Sequence, residues 1–227
     1  MVQGARLLLI LTLAGCRAEL LGVELPRGGR DTISQEDLQR DTWLLAQIPA
    51  RSQNAEQSAQ AISQRFQQMH TRPGFTRSYV SPSGSARVVC AEKDGRGDGQ
   101  VLVIAEDAGS SVADGAAPAA ALISMLKGFD TPELPSRSVM ACALLGVGAR
   151  AHFLSQPPLP LEDVEIRLVG PLGSGDARVG PDTFGGQPAV RHALGEIPSP
   201  DAMESLDYRA LKEAVLGVFD ATAALPE

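Results

Sequence analysis

The chain has 227 residues with a formal charge of −7 and a pI near 5.0, lengths and charge that suit one domain with a short extension. No cluster of Lys and Arg stands out to bind a phosphate backbone, so a nucleic-acid partner is excluded from the expectations. Aromatic residues make up only 4% and there are 23 glycines and 16 prolines, so the core has to be built from Ala, Val, Leu and Ile between many loops.

The first residues read as an export signal. Arg6 precedes an apolar run from Leu7 to Leu13, which is far shorter than the roughly 20 residues a spanning helix needs. Leu13, Ala14, Gly15 and Cys16 follow, and this quartet resembles the lipobox of bacterial lipoprotein precursors, in which the cysteine thiol takes a diacylglycerol. The expected organisation is a signal peptide over 1–15, a lipidated Cys16 with a tether over 16–31, and one domain over 32–227. That arrangement implies a protein held at the bacterial cell envelope, on a periplasmic or surface face, with the membrane as its partner through the lipid. Export also places Cys90 and Cys142 where a disulfide persists. Both lie in apolar strand-like runs, and the sequence leaves open both a bridge and two buried thiols.

The domain opens with Ser34 and Asp37 at capping-box spacing and with Ile33 and Leu38 at staple spacing, which predicts a helix that Pro49 stops. A second helix begins after Asn54, and Ala55, Ala59, Ile62, Phe66 and Met69 form its buried stripe. Two β-branched runs over 86–92 and 100–106 flank the turn-rich DGRGDG, which predicts a hairpin and assigns Arg96, Gly97 and Asp98 to its turn. The second run is apolar throughout, as a strand covered on both faces should be. A helix over 119–126, a strand over 137–145, a short helix near 150–154 and a strand over 164–169 complete a βαβαβ rhythm. Residues 170–200 read as loops over one sheet edge, and an amphipathic helix over 206–224 closes the chain. The expected fold is α/β, a mostly parallel central sheet with an antiparallel hairpin edge and helices on both faces.

Four segments carry a resemblance: IPARSQN at 48–54, AISQRFQQM at 61–69, VLVIAED at 101–107 and SPDAMESLDYRAL at 199–211. Together with the order of elements they are similar to the di-zinc aminopeptidase family, whose relatives include glutamate carboxypeptidase and the transferrin-receptor ectodomain, over roughly residues 34–225. The resemblance implies a shortened zinc-aminopeptidase-like sheet. It also implies a cleft where the family places a His and an Asp after a central strand, a bridging Asp, a Glu pair, a further Asp and a late His.

Those positions fall here on Glu106 and Ala108, on Asp114, on Ala143 and Leu144, near Val169 and near Pro198. Most cannot ligate a divalent ion, and Asp114 is the one surviving donor type. The cleft marked by Glu106, Asp114, Leu144, Val169 and Pro198 therefore reads as vestigial, with no catalytic residue and no cofactor, and the chain as a pseudo-peptidase with a binding or structural role toward an unknown protein or peptide. The enzyme alternative is a zinc-dependent aminopeptidase or amidohydrolase with displaced ligands at Glu106, Asp114, Asp176 and His192. An unrelated α/β scaffold is the third reading. His70 at a helix end and His152 in a short helix carry structural roles, and Asp107 and Asp114 suit caps or turns before a helix. Gly173, Ser174 and Gly175 lack the Lys and helix of a phosphate loop.

Overall fold

The computed structural model describes residues 29–48, 54–69, 75–83, 86–107, 115–130, 135–170, 179–194 and 206–224. After a 3-10 turn at Arg30–Thr32 come α1 (Gln35–Ala46), α2 (Ala55–Met69), β1 (Phe75–Ser83), β2 (Ala86–Lys93), β3 (Gln100–Asp107), α3 (Ala117–Gly128), β4 (Ser138–Leu145), α4 (Ala149–Ser155), β5 (Glu165–Gly170), β6 (Val179–Phe184), β7 (Gln187–Ala193) and α5 (Tyr208–Ala223). The leader, Cys16 and the tether lie outside the described residues, as do Pro49, His70, Asp114, Asp176, Pro198 and the 173–175 glycine loop.

The start of α1 follows from its cap: Ser34 Oγ accepts from the Asp37 backbone N–H at 3.0 Å, and Ile33 and Leu38 are both buried beside it. In α2 the five stripe residues are buried against the sheet together with Ser58. Asp207 caps α5 by accepting from the N–H groups of Arg209 and Ala210.

The seven strands are ordered β1-β2-β4-β3-β5-β7-β6. The central four, β4, β3, β5 and β7, are mutually parallel, whereas β2 is antiparallel to β4, and β1 and β6 are antiparallel edge strands. The mixed α/β architecture with a parallel centre and a hairpin edge is as expected, but the hairpin is not the one read from the sequence. β1 pairs with β2, and β4 is inserted between β2 and β3. The glycine-rich 94–99 segment is thus a connection across an intervening strand. It is pinned by Arg96 N donating to Pro135 O at 2.8 Å and Gly97 N donating to Ser136 O at 3.0 Å, with Arg96, Gly97 and Asp98 exposed.

The 170–200 stretch also departs from expectation, since it holds the β6–β7 hairpin. Gly185 and Gly186 have φ of 60° and 81°, the paired left-handed residues that a tight two-residue hairpin turn needs. Pro181 is tolerated because β6 is an edge strand, and Pro188 precedes the ladder with β5, which starts at Ala189.

Alternation along the strands sorts side chains onto two faces. Val101, Val103 and Ala105 of β3 and Val139, Ala141 and Ala143 of β4 face α1, α2, α3 and α5 in one core, while Leu102, Ile104, Met140, Cys142 and Leu144 pack with Phe153 of α4 and Phe184 in the other. Small residues at 105, 141 and 143 let the alanine-rich α3 lie close to the sheet, and Gly128 at its end admits the Phe219 ring of α5. Cys90 and Cys142 are Cα partners on β2 and β4, fully buried and joined by a disulfide.

Candidate functional site

In an open α/β sheet a ligand crevice forms where neighbouring parallel strands send their connections to opposite faces. Here β3 leads to α3 on the four-helix face, and β4 leads to α4 on the other, so the crevice lies beyond the carboxyl ends of β3 and β4. Glu106 and Leu144 are register partners at that point. Both belong to the α4 face, so the structure brings these two cleft positions together.

Val169 and His192 are also register partners, on β5 and β7, but they project to the opposite face. Val169 sits in the four-helix core, one strand from Ala105. The sheet itself separates Glu106 from His192, which removes the ligand set with these two as joint donors. His192 is in a strand, not the loop read from the sequence, and is only 4% exposed.

His192 already has a partner. Its Nε2 is 3.0 Å from Arg167 Nη1, and because a guanidinium only donates, Nε2 accepts and the ring is neutral with its proton on Nδ1. Burial, and then the Arg167 charge, push its pKa down from 6.5 to about 4, with Glu165 opposing them. Glu165 in turn bridges Arg167 and Arg137, and Arg137 donates to the Thr222 carbonyl near the end of α5 at 3.2 Å. This network ties β5 and β7 to α5. An imidazole held by a cation in this way is a structural group, with no lone pair left to offer a metal at Nε2.

The arrangement has a consequence for stability. The unfolded chain protonates this ring near pH 6.5 and the folded one only near pH 4, so the neutral ring's contribution is complete above about 6.5 and is lost as pH falls toward 4. The loss is expected to reach no more than about 3 kcal/mol. Urea denaturation at pH 7 and pH 4.5 should show a smaller drop for His192→Gln, which keeps an acceptor without the titration; an equal drop in both proteins refutes the assignment.

On the α4 face, the strand ends carry charged side chains that the sequence reading passed over. Arg150 Nη1 lies 3.7 Å from Glu106 Oε1, its Nη2 donates to the Thr183 carbonyl at 3.3 Å, and its guanidinium stands 4.8 Å from the Phe184 ring centroid. Arg191 pairs with Asp182 and lays its guanidinium against Gly170, where a Cβ would meet it. Asp182 was hidden in a segment without periodicity, so only the β6–β7 pairing reveals this group. Its carboxyl is held below the usual range by the Thr183 N–H first and then by Arg191.

Asp107 is buried on the four-helix face, and its carboxylate fills the space a side chain at Gly115 would take, at the start of the α3 segment. Its backbone carbonyl accepts from Gly146 N at 3.0 Å, locking the end of β3 to the turn after β4. The N-cap of α3 is Ala116 with no side-chain capping hydrogen bond, so Asp107 does not fill the capping role expected of it.

A pair of zinc ions requires several Cys, His or carboxylate donors at roughly 2 Å, about four per ion. The described cleft residues do not fit that group: Leu144 and Val169 are aliphatic, Glu106 faces a guanidinium, and His192 is on the other face. Among the described residues no three His, Cys, Asp or Glu side chains stand together in a way that would hold a metal.

No protein-family model matches the chain, and no curated protein matches it in sequence. Solved structures do match in fold. The aminopeptidase LapA of Legionella pneumophila superposes with a TM-score of 0.65 at 12% identity, covering 87% of this chain and 74% of its own. The glutaminyl cyclase of Bacteroides thetaiotaomicron, solved with N-acetylhistamine, matches with a TM-score of 0.64 at 8% identity, over 86% of this chain and 99% of its own. A leucine aminopeptidase precursor from the same organism gives 0.64, 8%, 86% and 98% in the same terms. The chain thus has the zinc-aminopeptidase-like fold.

Proposed function

We propose that the protein is a lipid-anchored, non-catalytic member of this architecture, a pseudo-peptidase that keeps the sheet and its crevice as a binding or structural module for a protein or peptide. The observation that carries the reading is the register pairing of Glu106 with Leu144 at the switch point: an aliphatic side chain stands beside Glu106 where metal chemistry needs donors. Hydrocarbon neither coordinates a divalent ion nor takes a proton from water. Fold likeness alone does not choose a reaction, since the neighbours include both aminopeptidases and glutaminyl cyclases.

The anchor part of the reading rests on the Leu13-Ala14-Gly15-Cys16 lipobox resemblance. Among the described residues no helix is long and apolar enough to cross a membrane. The test for activity is elemental analysis of the purified protein together with aminoacyl-nitroanilide and N-terminal glutaminyl peptide substrates. Substoichiometric zinc and no turnover are expected. Near-stoichiometric zinc with chelator-sensitive hydrolysis refutes the non-catalytic reading and restores the displaced-ligand enzyme.

A further inference from the structure

We propose that the outer face of α1, centred on Trp43 and Leu44, docks onto the bilayer surface to which the lipid tethers the chain; the inference rests on the anchoring of Cys16. Trp43 is 51% exposed and Leu44 44%, and they are consecutive in the second half of a helix whose other side is buried. Beside them a groove of about 430 Å³ runs between α1 and α2, floored by Leu45, Ile48, Ala61 and Ile123. Its wall on α2 is a line of glutamines, Gln57, Gln60, Gln64 and Gln68.

Two further observations select a lipid surface as the occupant. The first is chain length. Gly29 is fixed to the body by donating its N–H to Gly128 O at 2.9 Å, and α1 follows six residues later. From Cys16 to Gly29 the chain reaches at most about 45 Å when extended, so α1 is the helix bound most closely, along the chain, to the anchor. A surface that is always within this radius is met at high effective concentration, and a weak apolar contact then suffices.

The second is charge. The charges on this side balance: Arg40, Arg65 and Lys127 pair with Asp37 and Asp41, and the exposed Glu36 in the first turn of α1 supplies the third negative charge. A neutral rim around an exposed indole and leucine fits the interfacial zone of a bilayer, where an amphipathic ring lies at headgroup level. It has no basic excess for anionic lipid, so insertion is apolar and independent of headgroup charge. The two acyl chains of the diacylglycerol already suffice for attachment, so the apolar face sets how the body lies on the bilayer and not whether it stays there.

Trp43 is the only tryptophan in the chain, which makes it the reporter. The full-length protein, processed and lipidated in cells, is reconstituted into phosphatidylcholine vesicles. The expected result is a blue-shifted emission, quenching by chain-brominated phosphatidylcholine at least roughly twofold stronger than iodide quenching, and no change with 0.5 M salt (about a 4 Å screening length). Leu44→Asp, folded by circular dichroism and still co-floating, should shift emission back to the red and lose the bromine quenching.

The possible failures are distinct. Lipidated, co-floating protein whose Trp43 emits as in water and is open to iodide overturns the docking and leaves the anchor standing. An unmodified Cys16 by mass spectrometry overturns both. Shielding of Trp43 that is equal without vesicles, with a doubled mass in sedimentation, assigns the face to a second copy and overturns the lipid surface.

Discussion

Replacing Cys90 and Cys142 together by alanine is expected to destabilise the domain by about 4 kcal/mol, which for a domain of this size lowers the melting temperature by roughly 10 °C. The two half-cystines are 52 residues apart, and the loop they close contains β3 and α3, most of the central core. In the folded protein β2 and β4 are already hydrogen-bonded neighbours at this register, so the bridge adds little there. Its effect is on the unfolded chain, which loses the conformations in which these strands are far apart. Both residues are completely buried, so alanine leaves no unpaired polar group behind. Calorimetry of the double variant checks the expectation, with the wild type melted in dithiothreitol as a second route to the same open chain. Identical melting of all three samples means that the thiols are not bridged.

Glu165→Ala is expected to cost about 3 kcal/mol, at the lower end of the range for breaking a buried ion pair, because its carboxylate is about one-third exposed. The reason is not the loss of attraction as such. Arg137 and Arg167 are nearly buried, both lean on this one carboxylate, and removing it leaves two guanidinium charges facing each other out of water. Burial already disfavours the charged form of Arg167, with Glu165 opposing it, and without that acid the strain passes to the β5–β7 ladder and the end of α5. Adding Arg167→Met to Glu165→Ala should recover part of the loss, since it removes one of the stranded charges. Urea midpoints of the three proteins decide this: a double variant no more stable than the single one contradicts the charge explanation.

The elements whose reasons are local were legible in the chain. Ser34 with Asp37, Ile33 with Leu38, and the stripe from Ala55 to Met69 each involve residues within a few positions of one another, and the structure places them as read. The uninterrupted apolar run of β3 likewise announces a strand covered on both faces. Pairing was not legible. β2, β3 and β4 are all almost wholly buried, so no alternation of polar and apolar residues marks which of them is the neighbour of which. The turn-rich 94–99 segment looked like a hairpin for that reason. The β6–β7 hairpin was obscured by Pro181 and Pro188, although Gly185-Gly186 was the available signal.

For the site the division is similar. That leucine and valine cannot ligate a metal is a property of the residues, readable at any position. Whether donors elsewhere rebuild the cluster depends on which face each one takes, and that needs strand register: one residue of slip would move His192 to the side of Glu106. The Arg150–Asp182–Arg191 group, drawn from three separate segments, has no sequence signal.

What the sequence by itself determined is therefore the set of elements and the chemistry available at the strand ends, because capping, periodicity and donor identity act over a turn of helix or a single side chain. The tertiary structure alone decided the order of strands, the side of the sheet that each cleft residue occupies and the commitment of His192 to Arg167. Those depend on contacts between residues tens of positions apart, which burial on both faces leaves without a local mark.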